Sequence, residues 1–119
     1  MIKMEIYPLR KIINSFMIKF KKIDVHSAIS KIDNDDIAII DIRDKESFKL
    51  GHIDGAINLS NNNIDDFICN TRKDKSIIVC CYHGNSSQSA AEFLVKSGFN
   101  DVYSLDGGYE AWKIRNNNK

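Results

Sequence analysis

The chain is poor in cysteine, with only Cys69, Cys80 and Cys81 among its 119 residues. An odd number with two adjacent is no disulfide framework for a secreted domain, so the sequence predicts free thiols and a reducing, cytoplasmic setting. A charge of one sign is also missing. The 17 basic and 16 acidic side chains leave a formal net charge of +1, which offers no general field to nucleic acid or an anionic membrane and confines any anion preference to a local site. No apolar run approaches the roughly 18 residues needed to cross a bilayer, so no integral membrane segment is expected. Met1 to Phe20 is basic and apolar, but Glu5, Pro8, Arg10, Lys11 and Lys19 interrupt it, and it does not read as a secretory signal. Two readings of that stretch stand: a membrane-surface amphipathic helix with Ile12, Ile13, Phe16 and Phe20 on one face, or a loosely ordered extension or packing helix. Residues 1–19 are accordingly separated as an N-terminal extension from a domain spanning 20–119. There is no internal repeat.

What is present is enough apolar material, 43% of the residues, for one core. Short apolar runs alternate with helical patterns from Lys22 onward. An edge strand is expected at Ile23 to Val25, then a helix from His26 to Ile32 with Ala28, Ile29 and Ile32 inward. The run Ile37 to Ile42 is apolar up to Asp41, which suits a strand buried on both faces. Helices are expected at Lys45 to Leu50, closed by Gly51, and near Ile64 to Cys69, with Cys69 placed in the core beside Ile64 and Phe67. A strand from Ile77 to Cys81, a helix from Ser87 to Ser97 ending at Gly98, a strand from Val102 to Ser104 and a last helix from Gly108 to Arg115 complete the alternation. The class is α/β: one mostly parallel sheet of about four to five strands with helices on both faces.

The chemistry is concentrated where an apolar strand, Ile77 to Val79, runs into Cys80-Cys81-Tyr82-His83-Gly84-Asn85-Ser86-Ser87 and then a helix. Gly84 permits a tight turn, and Ser86 or Ser87 is suited to cap the helix. A cysteine at that strand end faces unpaired backbone N–H groups and the positive end of the helix dipole, which together favour a thiolate. Neighbours on a strand point to opposite sides, so only one of the two cysteines can enter the turn. Cys81 adjoins it, and Cys80 is left as a buried, inert thiol. In open parallel sheets ligands sit beyond the carboxyl ends of the strands, where Asp41 and Cys81 both fall.

Cys81 to Ser87, Asp41-Ile42-Arg43-Asp44, Gly51-His52-Ile53-Asp54-Gly55-Ala56 and Asp106-Gly107-Gly108-Tyr109-Glu110-Ala111-Trp112 together resemble the rhodanese family, and most closely its short single-domain thiosulfate sulfurtransferases. The resemblance covers about residues 20 to 115. It implies a single rhodanese-like domain, Cys81 as a nucleophile that carries sulfane sulfur as a persulfide, and no cofactor or metal. Thiosulfate would be the donor, and cyanide or a thioredoxin-like dithiol the acceptor. The expected cradle is the main chain of Tyr82, His83, Gly84, Asn85, Ser86 and Ser87. His83 either adds positive charge for the incoming dianion or is a solvated loop residue; Ser86 and Ser87 either donate to substrate or cap the helix. Asp41 and Arg43 read as an ion pair that, by the resemblance, borders the site, with Arg43 a candidate for anion binding. His52 reads as a structural histidine at a turn, and Trp112 as a core anchor.

Three rivals remain to be weighed. A cysteine-dependent phosphatase needs an arginine after five intervening residues to grip phosphate; that position is Ser87 counted from Cys81 and Ser86 counted from Cys80. A zinc centre from Cys80, Cys81 and His83 has too few ligands, and adjacent cysteines point apart. A rhodanese-like sulfur carrier or docking module without thiosulfate turnover is the alternative that keeps Cys81 in use.

Overall fold

The computed structural model describes residues 19–117; the expectations for residues 1–18 lie outside them. The chain runs β1 (Lys21–Ile23), α1 (Val25–Asn34), β2 (Ile37–Asp41), α2 (Lys45–Leu50), β3 (Ile57–Asn58), α3 (Ile64–Asn70), β4 (Ser76–Cys80), α4 (Ser86–Lys96), β5 (Asp101–Leu105) and α5 (Gly108–Asn117). The five strands form one sheet in the order β1-β5-β4-β2-β3, and every pair is parallel. The expected α/β architecture is therefore present, at the upper end of the expected strand number.

Alternation along β4 divides the core in two. Ile77 and Val79 face α3 and α4, where they meet Ile40, Leu59, Ala91, Leu94, Val95, Phe99 and Val102. Ile78 and Cys80 face α1 and α5, among Ile23, Val25, Ala28, Ile39, Ile53 and Leu105. All four of these β4 side chains are fully buried, and each large apolar one contributes about 2 to 3 kcal/mol relative to exposure. A central strand covered on both faces is why this segment reads as an unbroken apolar run.

Several expectations shift. The first strand ends at Ile23, because Asp24 caps α1 by accepting a 2.7 Å hydrogen bond from the Ser27 N–H; Val25 opens the helix. β3 was not expected: it is two residues long, and Ile57 is exposed, so no apolar period marks it. Cys69 is not in the core but exposed. The face of α3 that packs inward is Ile64, Phe67 and Ile68, and a residue five on from Ile64 is turned about 140° away from it.

Candidate active site

β4 delivers Cys80 into the α1–α5 face of the core and hands the chain to Cys81 on the other side. Both side chains are buried, at 0% and 3% exposure, yet their surroundings differ. Burial pushes the Cys80 thiol up to about 12; the Asp41 charge adds to this and Arg43 offsets part of it. Its sulfur has a protein carbonyl, that of Cys81, at 3.5 Å. Burial alone would also raise Cys81, but hydrogen bonds from the Ser87 hydroxyl and N–H and from the Gly84 and His83 N–H groups outweigh it and hold this thiol below its ordinary value. The Gly84 N–H reaches Cys81 Sγ at 3.1 Å and the Ser87 N–H at 3.3 Å.

The donors are fixed by how the turn is built. Gly84 has φ +92°, a left-handed conformation that only glycine adopts cheaply, and a Cβ there would lie 2.8 Å from the Gly107 nitrogen. α4 then starts at Ser86, with Asn85 at its cap position making no side-chain capping bond. Neither Ser86 nor Ser87 caps the helix, contrary to one of the roles considered for them. Both lie inside the helix, past the cap position, and the Ser87 N–H that a cap side chain would satisfy is taken by the sulfur. The Ser87 hydroxyl is buried against the Ser104 hydroxyl at 2.7 Å, and Gln88 Nε2 ties down the Gly84 carbonyl at 2.9 Å.

Tyr82, His83, Asn85 and Ser86 put their side chains at the exposed rim. The Tyr82 hydroxyl is shared between Ser47 Oγ, 2.9 Å away, and the Asp44 carboxylate, so the residue after Cys81 is tied to the start of α2. Sequence reasoning did not find this tie; Asp44 before Ser47 signals a helix cap, a role it also fills, and nothing in the pattern points across to residue 82. A groove of about 870 Å³ lies between the ends of β2 and β3 and α4, lined by Ile42, Leu59, Ile64, Ala90 and Phe93, and Cys81 is not among its walls.

Asp41 and Arg43 form the expected ion pair, and it is deeply buried. Arg43 Nε donates to both Asp41 oxygens at 3.0 and 3.1 Å, and Nη2 donates to Oδ2 at 2.8 Å and to the Gly51 carbonyl at 2.7 Å. Its guanidinium carbon stands 4.1 Å from the Tyr109 ring centroid and 5.7 Å from that of Tyr82. The pairing with Asp41 more than offsets burial, which would lower the Arg43 pKa, and keeps the guanidinium charged. Two faces of this arginine are thus spent on holding β2, α2 and the site loop together. His52 donates from Nδ1 to the Phe48 carbonyl at 2.7 Å and stacks on the Phe48 ring, as a structural histidine does; Trp112 packs against the α1–α5 core.

A buried thiol held below its ordinary value by main-chain donors has the chemistry of a candidate nucleophile. The comparisons with known proteins agree with the geometry. The model of the rhodanese-like domain matches residues 24–115. The chain is 48% identical over 100 residues to thiosulfate sulfurtransferase GlpE of Shewanella oneidensis, covering 84% of this chain and 99% of that protein. It is 49% identical over 94 residues to GlpE of Pseudoalteromonas translucida, covering 79% and 90%. Among solved structures, the rhodanese-like domain of an Anabaena protein superposes with a TM-score of 0.72 at 28% identity, covering 79% of this chain and 74% of that one. A rhodanese-related protein from Thermoplasma volcanium gives 0.69 at 27%, covering 81% and 93%. With the parallel sheet, the cysteine at the end of β4 and the family model spanning nearly the whole described domain, this chain belongs to the rhodanese family.

Proposed function

We propose that the protein is a thiosulfate sulfurtransferase that works by double displacement through a persulfide on Cys81. The Cys81 thiolate attacks the outer sulfur of thiosulfate, the sulfur–sulfur bond of the donor breaks, and sulfite leaves with its electron pair. The new Cys81 persulfide is then attacked at its terminal sulfur by a thiophilic acceptor, which departs with that sulfur and returns the thiolate. Cyanide would leave as thiocyanate; a thioredoxin-like dithiol would take the sulfur as its own persulfide and then close to a disulfide, releasing hydrosulfide. Both anions, thiolate and persulfide, draw on the same fixed N–H groups of the loop, so the donors need no rearrangement between the half-reactions.

The observation that carries this reading is Cys81 Sγ accepting from the Gly84 and Ser87 N–H groups. The names of the relatives supply the donor. Ser87 stands where a phosphatase needs its arginine, and its buried hydroxyl faces Ser104, which argues for sulfur over phosphate. Free thiols at all three cysteines suit a reducing compartment such as the cytoplasm.

Intact-mass measurement after mixing with thiosulfate tests the proposal directly. One sulfur atom should be retained, map to the Cys81 peptide, and disappear on adding cyanide with formation of thiocyanate. Retention without removal would favour a sulfur carrier, and retention on Cys69 or Cys80 would overturn the assignment.

A further inference from the structure

Two helices begin beside the Cys81 loop, and their first turns are used differently. α4 turns the Ser87 N–H onto the sulfur. α5 turns its N–H groups onto the loop's carbonyls: Tyr109 N–H donates to the Cys81 carbonyl at 2.7 Å and Glu110 N–H to the Tyr82 carbonyl at 3.1 Å. These are orphan donors of a helix start, normally satisfied by a cap side chain or water. We propose that the first turn of α5 is the positioning element of the nucleophile, fixing the main chain that carries Cys81 by holding the Cys81 and Tyr82 carbonyls outward. The inference rests on the reading of Cys81 as the reactive thiol.

The link between the two sets of bonds is the planarity of the peptide unit. In a trans peptide the carbonyl and the following N–H point in opposite directions, and the described chain contains no cis peptide. Fixing the Tyr82 carbonyl towards Glu110 therefore sends the His83 N–H the other way. That N–H is one of the groups that lower the Cys81 thiol.

The approach of helix to loop is backbone against backbone. Gly108 has φ +60°, and a Cβ at that position would stand 2.4 Å from the Cys81 carbonyl oxygen and 2.6 Å from the Tyr82 carbonyl carbon. No side chain fits between them. The helix is anchored by Ala111 and Trp112 in the α1–α5 core, so α5 can transmit rigidity from that core to the loop at its N-terminus.

The test removes one N–H. Glu110→Pro deletes the donor to Tyr82 in the first helical turn, whose N–H groups make no intrahelical bond; it is measured against Glu110→Ala, which loses the same carboxylate and keeps the N–H. The readout is the pH dependence of iodoacetamide alkylation, followed on the Cys81 peptide by mass spectrometry so that exposed Cys69 does not contribute. Relative to Glu110→Ala, the proline variant should raise the alkylation midpoint by about half a pH unit or more and lower kcat/KM for thiosulfate near pH 7 by about threefold to tenfold. An ester in place of the Tyr109–Glu110 amide, introduced by ligating a synthetic C-terminal peptide, removes the same N–H with every side chain intact and gives the same readout if the proline variant does not fold. An unchanged midpoint in the ester protein overturns the proposal. Were wild-type protein to retain no sulfur from thiosulfate while the midpoint still moved in the ester protein, the sulfurtransferase reading would fall and the positioning role would stand.

Discussion

On the α1–α5 side of β4, Cys80 sits among isoleucines and leucine with its thiol pushed up to about 12; one residue on, facing α4, Cys81 is held below its ordinary value. Neither is more than 3% exposed, and burial raises both thiols and is the largest influence on each; what differs is what opposes it. Cys80 has a carbonyl oxygen and a carboxylate for neighbours, both of which disfavour a second negative charge. Cys81 has N–H donors and a hydroxyl, which welcome one. The two thiols at the end of this strand thus part because main-chain donors oppose burial at Cys81 while at Cys80 the Asp41 charge adds to it and only Arg43 offsets part.

The sharpest way to break the comparison is to remove each sulfur in turn. Cys81→Ser should lower thiocyanate formation by at least about a thousandfold, whereas Cys80→Ala should retain the rate to within about threefold and cost on the order of 1 to 2 kcal/mol of stability. Equal losses of activity would show that the two sides are not chemically distinct.

Arg43 tests the frame that holds the two sides in register. Its side chain and that of Asp41 are 4% and 1% exposed, so Arg43→Ala leaves a buried carboxylate without its partner. That should cost about 3 to 5 kcal/mol, read as a lower urea midpoint, while a loss under about 1 kcal/mol would mean that water or another donor replaces the guanidinium.

The smallest effect sharpens the Cys81 side alone. Ser87→Ala keeps the main-chain donor and removes the hydroxyl that helps lower the thiol, so the alkylation midpoint should rise. The sign follows from the ionised form being the reactive one: below its pKa the thiolate fraction falls about tenfold per pH unit. The variant's deficit in sulfur transfer should thus reach about threefold at low pH and shrink as the pH rises and both thiols ionise, and a deficit independent of pH would assign the hydroxyl a different task.

Much of this was legible because the decisive elements carry strong local signals. β2 and β4 announce themselves as apolar runs, and α2 was placed at its observed limits with Gly51 marking its end. The choice of Cys81 over Cys80 rested on strand alternation together with its place next to the turn and the match of that turn to the family's loop. What the sequence hid depends on contacts between distant segments. β3 is held by register with Ile40 and Asp41 of β2 and not by its own composition. The fate of the Ser87 N–H, the tie from Tyr82 to α2, and the carbonyls taken by Tyr109 and Glu110 all require knowing which loops meet. Cys69 failed for a simpler reason: one step beyond Ile68 on a helix is enough to leave the buried stripe.

The sulfur's partners at Gly84 and Ser87 include main-chain nitrogens that almost any amino acid supplies. This has an evolutionary consequence. Under the proposed function, attack and recognition are written in different alphabets: the backbone supplies most of the first, and the side chains of His83, Asn85 and Ser86, exposed at the rim, are left for the second. Mutation at those three positions can explore new sulfur donors or acceptors without rebuilding the thiolate's surroundings, whereas Gly84 is closed to such exploration by its φ of +92° and its packing against Gly107.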